Sequence, residues 1–526
     1  MYLTIVDQQF LQGQGNARTL RVVSTPAYRG IITDRNGQPL AISTPVTSVW
    51  VDPQMFSATE LQFLQLAKLL SYRPIELAKL IKQAGQREFL YLRRGLNPQL
   101  AASVKQMAIQ GVYLQKEFRR FYPDGEVTAH LLGLTDVDDN GQEGLELAFN
   151  DWLQGTPGKR RVLKDRLGHI ISEVSRISEP KPGHDLALSI DRRIQYVAYR
   201  ELVEQVKRYN AKSGSVVVLD VQSGEVLAMA NVPSYNPNNR PKHHDGRYRN
   251  RAVTDLFEPG SVIKPFSIAS ALVSGKYSAH TPIDTSPGWF SLNGNLIQDI
   301  RNHGKMDVTG VLKYSSNVGV SRMVLSLPPE NLWNLLRKVG FGERTSSGFP
   351  GERSGSLEQH RRWRPFVLAT LAFGYGIAVT PLQLADAYTL FARHGRKLPV
   401  TFLKVQNKPE GKQVLNQSVA DAVLMMLQHV VEDEDGTGKN ARIPNYHVAG
   451  KTGTARLLGP QGYLKDHHIA SFVGIAPATE PRLVIAVVIT DPRKKAYYGG
   501  LIAAPVFKHI MAESLKILNI PPDNLA

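Results

Sequence analysis

Three short stretches of this 526-residue chain carry side chains whose types and spacing fit acyl transfer. Ser261 and Lys264 stand three apart in FEPGSVIKPF, Ser315 and Asn317 two apart in YSSNVG, and Lys451-Thr452-Gly453-Thr454 run together in HVAGKTGTAR. A serine hydroxyl becomes a useful nucleophile only when a base takes its proton. A lysine one helical turn along shares the serine's face and can be that base. The third stretch has a rival reading, because Gly450-Lys451-Thr452 is also how a phosphate-binding loop ends. Such a loop needs a glycine five positions before Gly450 and a helix directly after it. Asn445 occupies that position, and Arg456 is followed by LLGPQGYLKDHH, which is rich in turn formers. The nearby EDGTGKNAR fails too, since Asn440 follows Gly438-Lys439. The spacing excludes nucleotide binding at either place.

Each acyl-transfer residue then has a part to play. Ser261 follows Pro259-Gly260, a turn able to present a helix start. Pro265 has no N–H, which a helix tolerates in its first turn, so a helix is predicted from Ser261 or Val262 through FSIASALVSG. A free lysine, with a pKa of ~10.4, is protonated at neutral pH. Lys264 can serve as base only if burial, a helix N-terminus or a second cation lowers that value. Lys451 would be the second cation if its strand lies alongside. Ser315 can relay a proton to a leaving amine, and Asn317 can hydrogen-bond a substrate amide. Capping of a helix over VGVSRMVLS is the plainer role for this stretch, and it is compatible with the catalytic one. The Lys451–Thr454 strand would pair with an extended peptide at a sheet edge, with Gly453 leaving room for close approach. Lys451, Thr452 and Thr454 can bind a terminal carboxylate. The N–H groups of Ser261 and Thr454 would form an oxyanion hole.

These residues need a framework, and the rest of the chain supplies its outline. SEPKPGHD (178–185) is a Pro/Gly/charge stretch that divides the chain into regions 1–185 and 186–526. In the first, RGIITDRNGQPLAIS alternates around Asn36-Gly37, a hairpin signal. ATELQFLQLAKLL and PIELAKLIKQAG have helical spacing, the second closed by Gly85. In the second, IDRRIQYVAYRELVEQVKRY reads as an amphipathic helix, and SGSVVVLDVQSGEVLAMAN as two strands turning at Ser223-Gly224. IASFVGIAP and RLVIAVVITD add two strands, and APVFKHIMAESLKIL a closing helix. Short turns between consecutive strands make them antiparallel. The fold class is therefore α+β, an antiparallel sheet covered by helices, behind a smaller leading domain.

Composition narrows the partners. The net charge of +17 reads first as a well-solvated basic surface and second as attraction to a polyanion, whether cell-wall polymer, anionic lipid or nucleic acid. No aromatic-basic recognition motif accompanies it, so no nucleic acid is expected. The absence of cysteine excludes disulfides, thiol catalysis and cysteine metal sites. The pairs His243-His244 and His467-His468 read as polar surface, and DVDDNGQEGLE as an acidic turn lacking the glutamate of a calcium loop. No metal and no cofactor is implied. The longest apolar run, LVIAVVI, is far too short to span a bilayer.

The ordered triple of S-x-x-K, S-x-N and K-T-G resembles the motif set of penicillin-binding proteins and related β-lactamases. RGIITDRNGQPLA, GQEGLE, FGYGIAVTPLQLA and YYGGLIAAPVFKHI extend the likeness to nearly the whole chain, which resembles a class B penicillin-binding protein of the division-specific, FtsI-like branch. That resemblance implies a serine D,D-transpeptidase, acylated by the penultimate D-Ala of one peptidoglycan stem peptide and deacylated by the amine of another. It implies that β-lactams acylate Ser261, that region 1–185 is a non-catalytic pedestal, and that the substrate is a lipid-linked precursor polymer. It also implies membrane partners in a division complex, a glycosyltransferase among them. The location would be the periplasmic face of the bacterial inner membrane, with an anchoring helix ahead of residue 1 that this sequence does not contain. Tyr463, Tyr497 and Tyr498 stand where such proteins build an aromatic wall against the substrate. A serine β-lactamase shares the triple, but its E-x-x-L-N base pattern is absent here. A β-lactam sensor, a division scaffold and a carboxypeptidase remain compatible with the motifs.

Overall fold

The computed structural model describes residues 20–164, 170–240, 245–494 and 496–525, which leaves His243 and His244 outside it. Asp34 shapes the turn at Asn36-Gly37: its Oδ1 accepts from the N–H groups of Asn36 and Gln38, each at 2.8 Å. Gly37 takes the φ of +81° that this turn requires. The turn joins β2 (Ile32–Thr33) to β3 (Pro39–Val51), which pairs antiparallel with β4 (Leu90–Leu96) and β5 (Val112–Phe121). Three helices, α1 (Glu60–Leu69), α2 (Pro74–Gln83) and α3 (Pro98–Gln106), bring Leu66, Leu77, Ile81 and Val104 to a core shared with Val49 and Val51. The expected cap at Gly85 is not made. Ala84 caps α2, and Gly85 lies outside the left-handed region, its N–H simply turning back to Lys82 O.

A second, three-stranded sheet runs in the order β1 (Leu20–Thr25), β6 (Gly158–Lys164), β7 (Ile170–Ser178). The separated stretches RGIITDRNG and GQEGLE meet inside the protein. Glu146 Oε2 accepts from Arg29 Nε at 2.7 Å and Oε1 from Arg120 Nε at 2.6 Å, all three side chains being at most 1 % exposed. One buried carboxylate thus answers two buried guanidinium groups, the condition under which such charges are tolerated away from water. The acidic turn uses its charge locally, Asp136 Oδ1 accepting from the N–H groups of Asp138 and Asn140 at 2.9 Å each.

β8 (Leu186–Ala187), directly after SEPKPGHD, pairs in parallel with β2, and Leu188 bridges to Leu403. The larger region then opens with α4 (Arg192–Arg208), capped by Asp191. β9 (Ser213–Asp220) and β10 (Val226–Val232) form the hairpin turning at Gly224, whose φ is +79°. Far along the chain, β11 (Ala449–Gly459), β12 (Gly462–Ala476) and β13 (Leu483–Thr490) complete an antiparallel sheet in the order β10-β9-β13-β12-β11. Helices cover both faces. Val216, Val218, Ile485 and Val487 pack under α4 and the closing helix α10 (Gly499–Ile517). The alternate residues Val217, Leu219, Val484 and Ala486 face a larger core. To that core α5 (Lys264–Val273), α8 (Pro381–Ala392) and α9 (Gln417–Glu432) contribute. This two-sided burial explains LVIAVVI: a strand sandwiched between helices has no polar face. Among the described residues, no helix is long and apolar enough to cross a membrane. β11 is left as the sheet's edge, and the candidate chemistry gathers there.

Candidate active site

The predicted helix begins later than expected. Gly260–Ile263 form a 3₁₀ turn and the α-helix starts at Lys264, with Pro265 in its first turn where a missing N–H costs nothing. A 3₁₀ turn has three residues per turn, so positions i and i+3 eclipse. Ser261 and Lys264 therefore share a face as the spacing implied. Gly260 has φ +58°, and a Cβ there would lie 3.3 Å from Ala455 Cβ, so this turn presses directly on β11. Gly374 presses from the other side: its own Cβ would fall 2.2 Å from Gly260 O. Tyr388, buried on α8, donates its hydroxyl to Val262 O at 2.6 Å. The serine turn is held on three sides.

Behind it lie two lysines with no exposure at all, Lys264 and Lys451. Both point at one hydroxyl. Lys264 Nζ donates to Ser315 Oγ at 3.1 Å and Lys451 Nζ donates to the same atom at 3.0 Å. Lys264 also donates to Ser315 O and, at 2.7 Å, to Asn317 Oδ1. Burial brings the Lys264 ammonium down to about 7, against a smaller upward pull from Asp299. Burial and then the neighbouring Lys264 push Lys451 well below its usual value. Of the causes expected to make a base of Lys264, burial is the one that lowers it, while the neighbouring-cation effect falls on Lys451. One expected contact is not made: among the described residues Ser261 Oγ has no hydrogen-bond partner, because the Lys264 ammonium spends its protons on Ser315 and Asn317.

Ser315 sits between α6 (Val308–Lys313) and α7 (Asn317–Leu325), and Asn317 is the first residue of α7. The plain capping role belongs to neither. Ser316 is the cap, its Oγ accepting from Gly319 N–H at 2.8 Å. Ser315 instead holds a left-handed φ of +60°, and so its carbonyl and hydroxyl both reach the lysines.

On β11 the side chains alternate. Lys451 and Gly453 face the serine turn, while Thr452 and Thr454 face the start of α10. The protein's own packing already needs the missing side chain at Gly453. A Cβ there would lie 2.3 Å from Ser471 Oγ, 2.9 Å from Val262 Cγ1 and 3.1 Å from Pro259 O. Thr454 Oγ1 accepts from Gly499 N–H at 3.0 Å and still carries a proton to donate. Tyr463 is half exposed near the β11–β12 turn, donating to Glu258 Oε2 at 2.8 Å and meeting the Tyr375 ring edge-on. Tyr498 caps α10 and stacks on Tyr497 at 4.4 Å, which stacks on His468 at 4.2 Å. The three tyrosines thus form two separate patches, one tied to the serine turn and one to the start of α10.

Residues 214–512 match the family model for the penicillin-binding protein transpeptidase domain, and residues 24–188 the model for the penicillin-binding protein dimerisation domain. The chain belongs to the penicillin-binding protein family. It is 44% identical to a probable peptidoglycan D,D-transpeptidase, PbpC, of Pseudomonas aeruginosa, over all of this chain and 93% of that one. It is 42% identical to the peptidoglycan D,D-transpeptidase FtsI of Escherichia coli, over all of this chain and 89% of that one. Among solved structures, a peptidoglycan synthetase of Bifidobacterium adolescentis matches with a TM-score of 0.75 at 26% identity, over 96% of this chain and 98% of that one. The apo transpeptidase domain of Burkholderia pseudomallei penicillin-binding protein 3 matches at 39% identity and a TM-score of 0.59, over 64% of this chain and 97% of that one.

The structure of this penicillin-binding protein also adds site residues that the motifs do not announce. Asp299 accepts from Ser316 Oγ and from the N–H groups of Asn317 and Val318, fixing the start of α7. Among the described residues it is the carboxylate that acts on Lys264. Gly374, Tyr388 and Glu258 brace the serine turn. Glu258 lies inside FEPGSVIKPF and Gly374 inside FGYGIAVTPLQLA, but their bracing contacts depend on long-range packing that only the fold reveals. Among the described residues no group of three His, Asp or Glu gathers to hold a metal.

Proposed function

We propose that this penicillin-binding protein is a serine D,D-transpeptidase that cross-links peptidoglycan stem peptides during septal wall synthesis, with region 186–526 as the catalytic domain. The observation that carries this reading is the pair of unexposed lysines donating to the single hydroxyl of Ser315, beside the serine turn and the sheet edge. Neutral Lys264 takes the Ser261 proton as Oγ attacks the carbonyl of the penultimate D-Ala. The N–H groups of Ser261 and Thr454 hold the oxyanion. As the C–N bond breaks, Ser315 passes a proton from the lysine pair to the departing D-Ala nitrogen. The amine of a neighbouring stem then attacks the ester. Its proton returns by the same route to Ser261 Oγ, and the new amide is released. β-Lactams acylate Ser261 in the same way, and their leaving nitrogen stays tethered to the acyl group.

The Thr452 and Thr454 hydroxyls bind the terminal carboxylate, Lys451 being buried against Ser315 on the other face of the strand, while Tyr463, Tyr497 and Tyr498 line the substrate's approach. Region 1–185 is a non-catalytic pedestal whose partners are division-complex membrane proteins, including a glycosyltransferase. The working location is the periplasmic face of the inner membrane, reached through an anchoring helix ahead of residue 1. The test is reconstitution with lipid-linked precursor and a glycosyltransferase, counting cross-linked muropeptides against released D-Ala. Cross-links and D-Ala in equal amounts, both lost in Ser261→Ala, are expected. D-Ala without cross-links would identify a carboxypeptidase, and neither product would refute the reading.

A further inference from the structure

Ser315 adopts a backbone conformation that glycine takes freely and serine does not. It is the residue just past the end of α6, where a helix commonly closes with a left-handed residue. Ser315 N–H donates to Leu312 O at 3.2 Å and Ser316 N–H to Val311 O at 3.0 Å, which closes the turn. The left-handed turn aims the Ser315 carbonyl and hydroxyl at Lys264. Something must keep a serine there.

The two residues before it are gripped from outside by one loop. Lys313 Nζ donates to Asp433 Oδ2 and Asp435 Oδ1, both at 3.0 Å. Tyr314 donates its hydroxyl to the other oxygen of Asp435 at 2.6 Å. Thr437 Oγ1 donates to the Lys313 carbonyl at 3.0 Å. The His303 ring stacks on Tyr314 at 4.6 Å with the planes 18° apart, and the Lys313 ammonium lies 4.6 Å from the centre of the same tyrosine ring. Asp435 therefore bridges consecutive side chains immediately ahead of Ser315. The far side of this loop is fixed as well. Asp433 closes α9, and Thr437 O would lie 2.6 Å from a Cβ on Gly500, beside Thr452. The loop of residues 433–437 thus ties the Ser315 turn to the neighbourhood of the Lys451 strand, the other wall of the cleft.

We propose that Lys313, Tyr314, Asp433 and Asp435 form a clamp of positioning residues that holds Ser315 in register with Lys264 and Lys451 for the acylation step. An isolated surface ion pair contributes little. This one differs because Lys313 is only 16 % exposed and four polar contacts converge on two adjacent residues. The clamp also stays charged across the working range. Asp435 is held down at about 2 by its bonds to Tyr314 and Lys313. Lys313 is raised, its bonds to Tyr314, Asp433 and Asp435 outweighing its burial.

The inference rests on Ser261 as the acylated serine, so the test carries that reading separately. Stopped-flow acylation by the chromogenic β-lactam nitrocefin, over a range of concentrations, separates initial binding (Kd) from the acylation rate constant (k2). Wild type, Lys313→Met, Asp435→Ala, the double variant, Lys313→Arg and Thr437→Val are compared, with Ser261→Ala as control. Lys313→Met and Asp435→Ala should each lower k2 by roughly 10- to 100-fold, the scale of a misplaced catalytic group, with Kd within about twofold. The double variant should be no worse than either single one, because one clamp is broken once. Lys313→Arg should recover most of k2, and Thr437→Val should lose part of it. If Lys313→Met does not fold, Asp435→Ala and Thr437→Val decide alone. Unchanged k2 in the folded variants, a loss confined to Kd, or additive losses in the double variant would overturn the clamp. Wild type that is not acylated, or Ser261→Ala that still is, would overturn the acyl-serine reading instead.

Discussion

The burial of Lys264 makes a quantitative claim about pH. Its fall from 10.5 to about 7 corresponds to ~5 kcal/mol of preference for the neutral amine, at ~1.4 kcal/mol per pH unit. If the neutral amine is the base, the acylation rate follows its titration. The rate should be about one-tenth of its plateau at pH 6 and about nine-tenths at pH 8. Asp299 pulls the value upward, so Asp299→Asn should move the midpoint to lower pH. Lys264→Met should cost roughly 10²- to 10⁴-fold at every pH. The assay is the second-order rate constant for β-lactam acylation between pH 5 and 9.5. Stability supplies a second reading with a fixed sign. Between about 7 and 10.5 the unfolded lysine binds a proton that the folded one does not, so stability rises with pH across that window. Lys451, also depressed, acts in the same direction, and Lys264→Met should flatten the slope without abolishing it. A rate that climbs tenfold per unit up to pH 9.5 without a plateau would show an ordinary lysine and refute the argument.

Other positions test the packing. Gly453→Ala drives a Cβ onto Ser471 Oγ, Val262 and the Pro259 carbonyl; it should cost about 1–3 kcal/mol in thermal unfolding and slow acylation more than it weakens binding. Thr454→Val removes the acceptor for Gly499 N–H and the donor proposed for the substrate carboxylate, so β-lactam binding should weaken roughly 5- to 30-fold, read from Kd in stopped flow. Glu146→Ala removes the carboxylate that pairs directly with both buried guanidinium groups, Arg29 and Arg120. It should cost about 3–5 kcal/mol in denaturant unfolding, while the folded fraction is acylated at the wild-type rate.

The residues that make the site were legible where chemistry fixes their spacing. A lysine three positions after a serine meets it on any helical turn, whether α or 3₁₀, so the pair survives the shifted helix start. The hairpins at Gly37 and Gly224 were legible because a left-handed turn selects its residues. The closing strands were legible as apolar runs, and the dry sandwich between two helical layers accounts for their lack of a polar face. What escaped the sequence depends on long-range contact. Asp299 reaches α7 across a loop, and Lys313 meets Asp433 and Asp435 from the far end of α9. The packing role of Gly453 needs the serine turn in place before it has meaning. Gly85 shows the opposite error, a glycine at a helix end that the local backbone does not use as a cap.

The most direct test of the account is intact-protein mass spectrometry over time after mixing with a β-lactam, wild type beside Ser261→Ala. A one-drug adduct that persists on wild type and is absent from the variant is expected. An adduct that survives Ser261→Ala, or none on wild type, would contradict the assignment of Ser261. A wild-type adduct that decays quickly with hydrolysed drug accumulating would mark a β-lactamase.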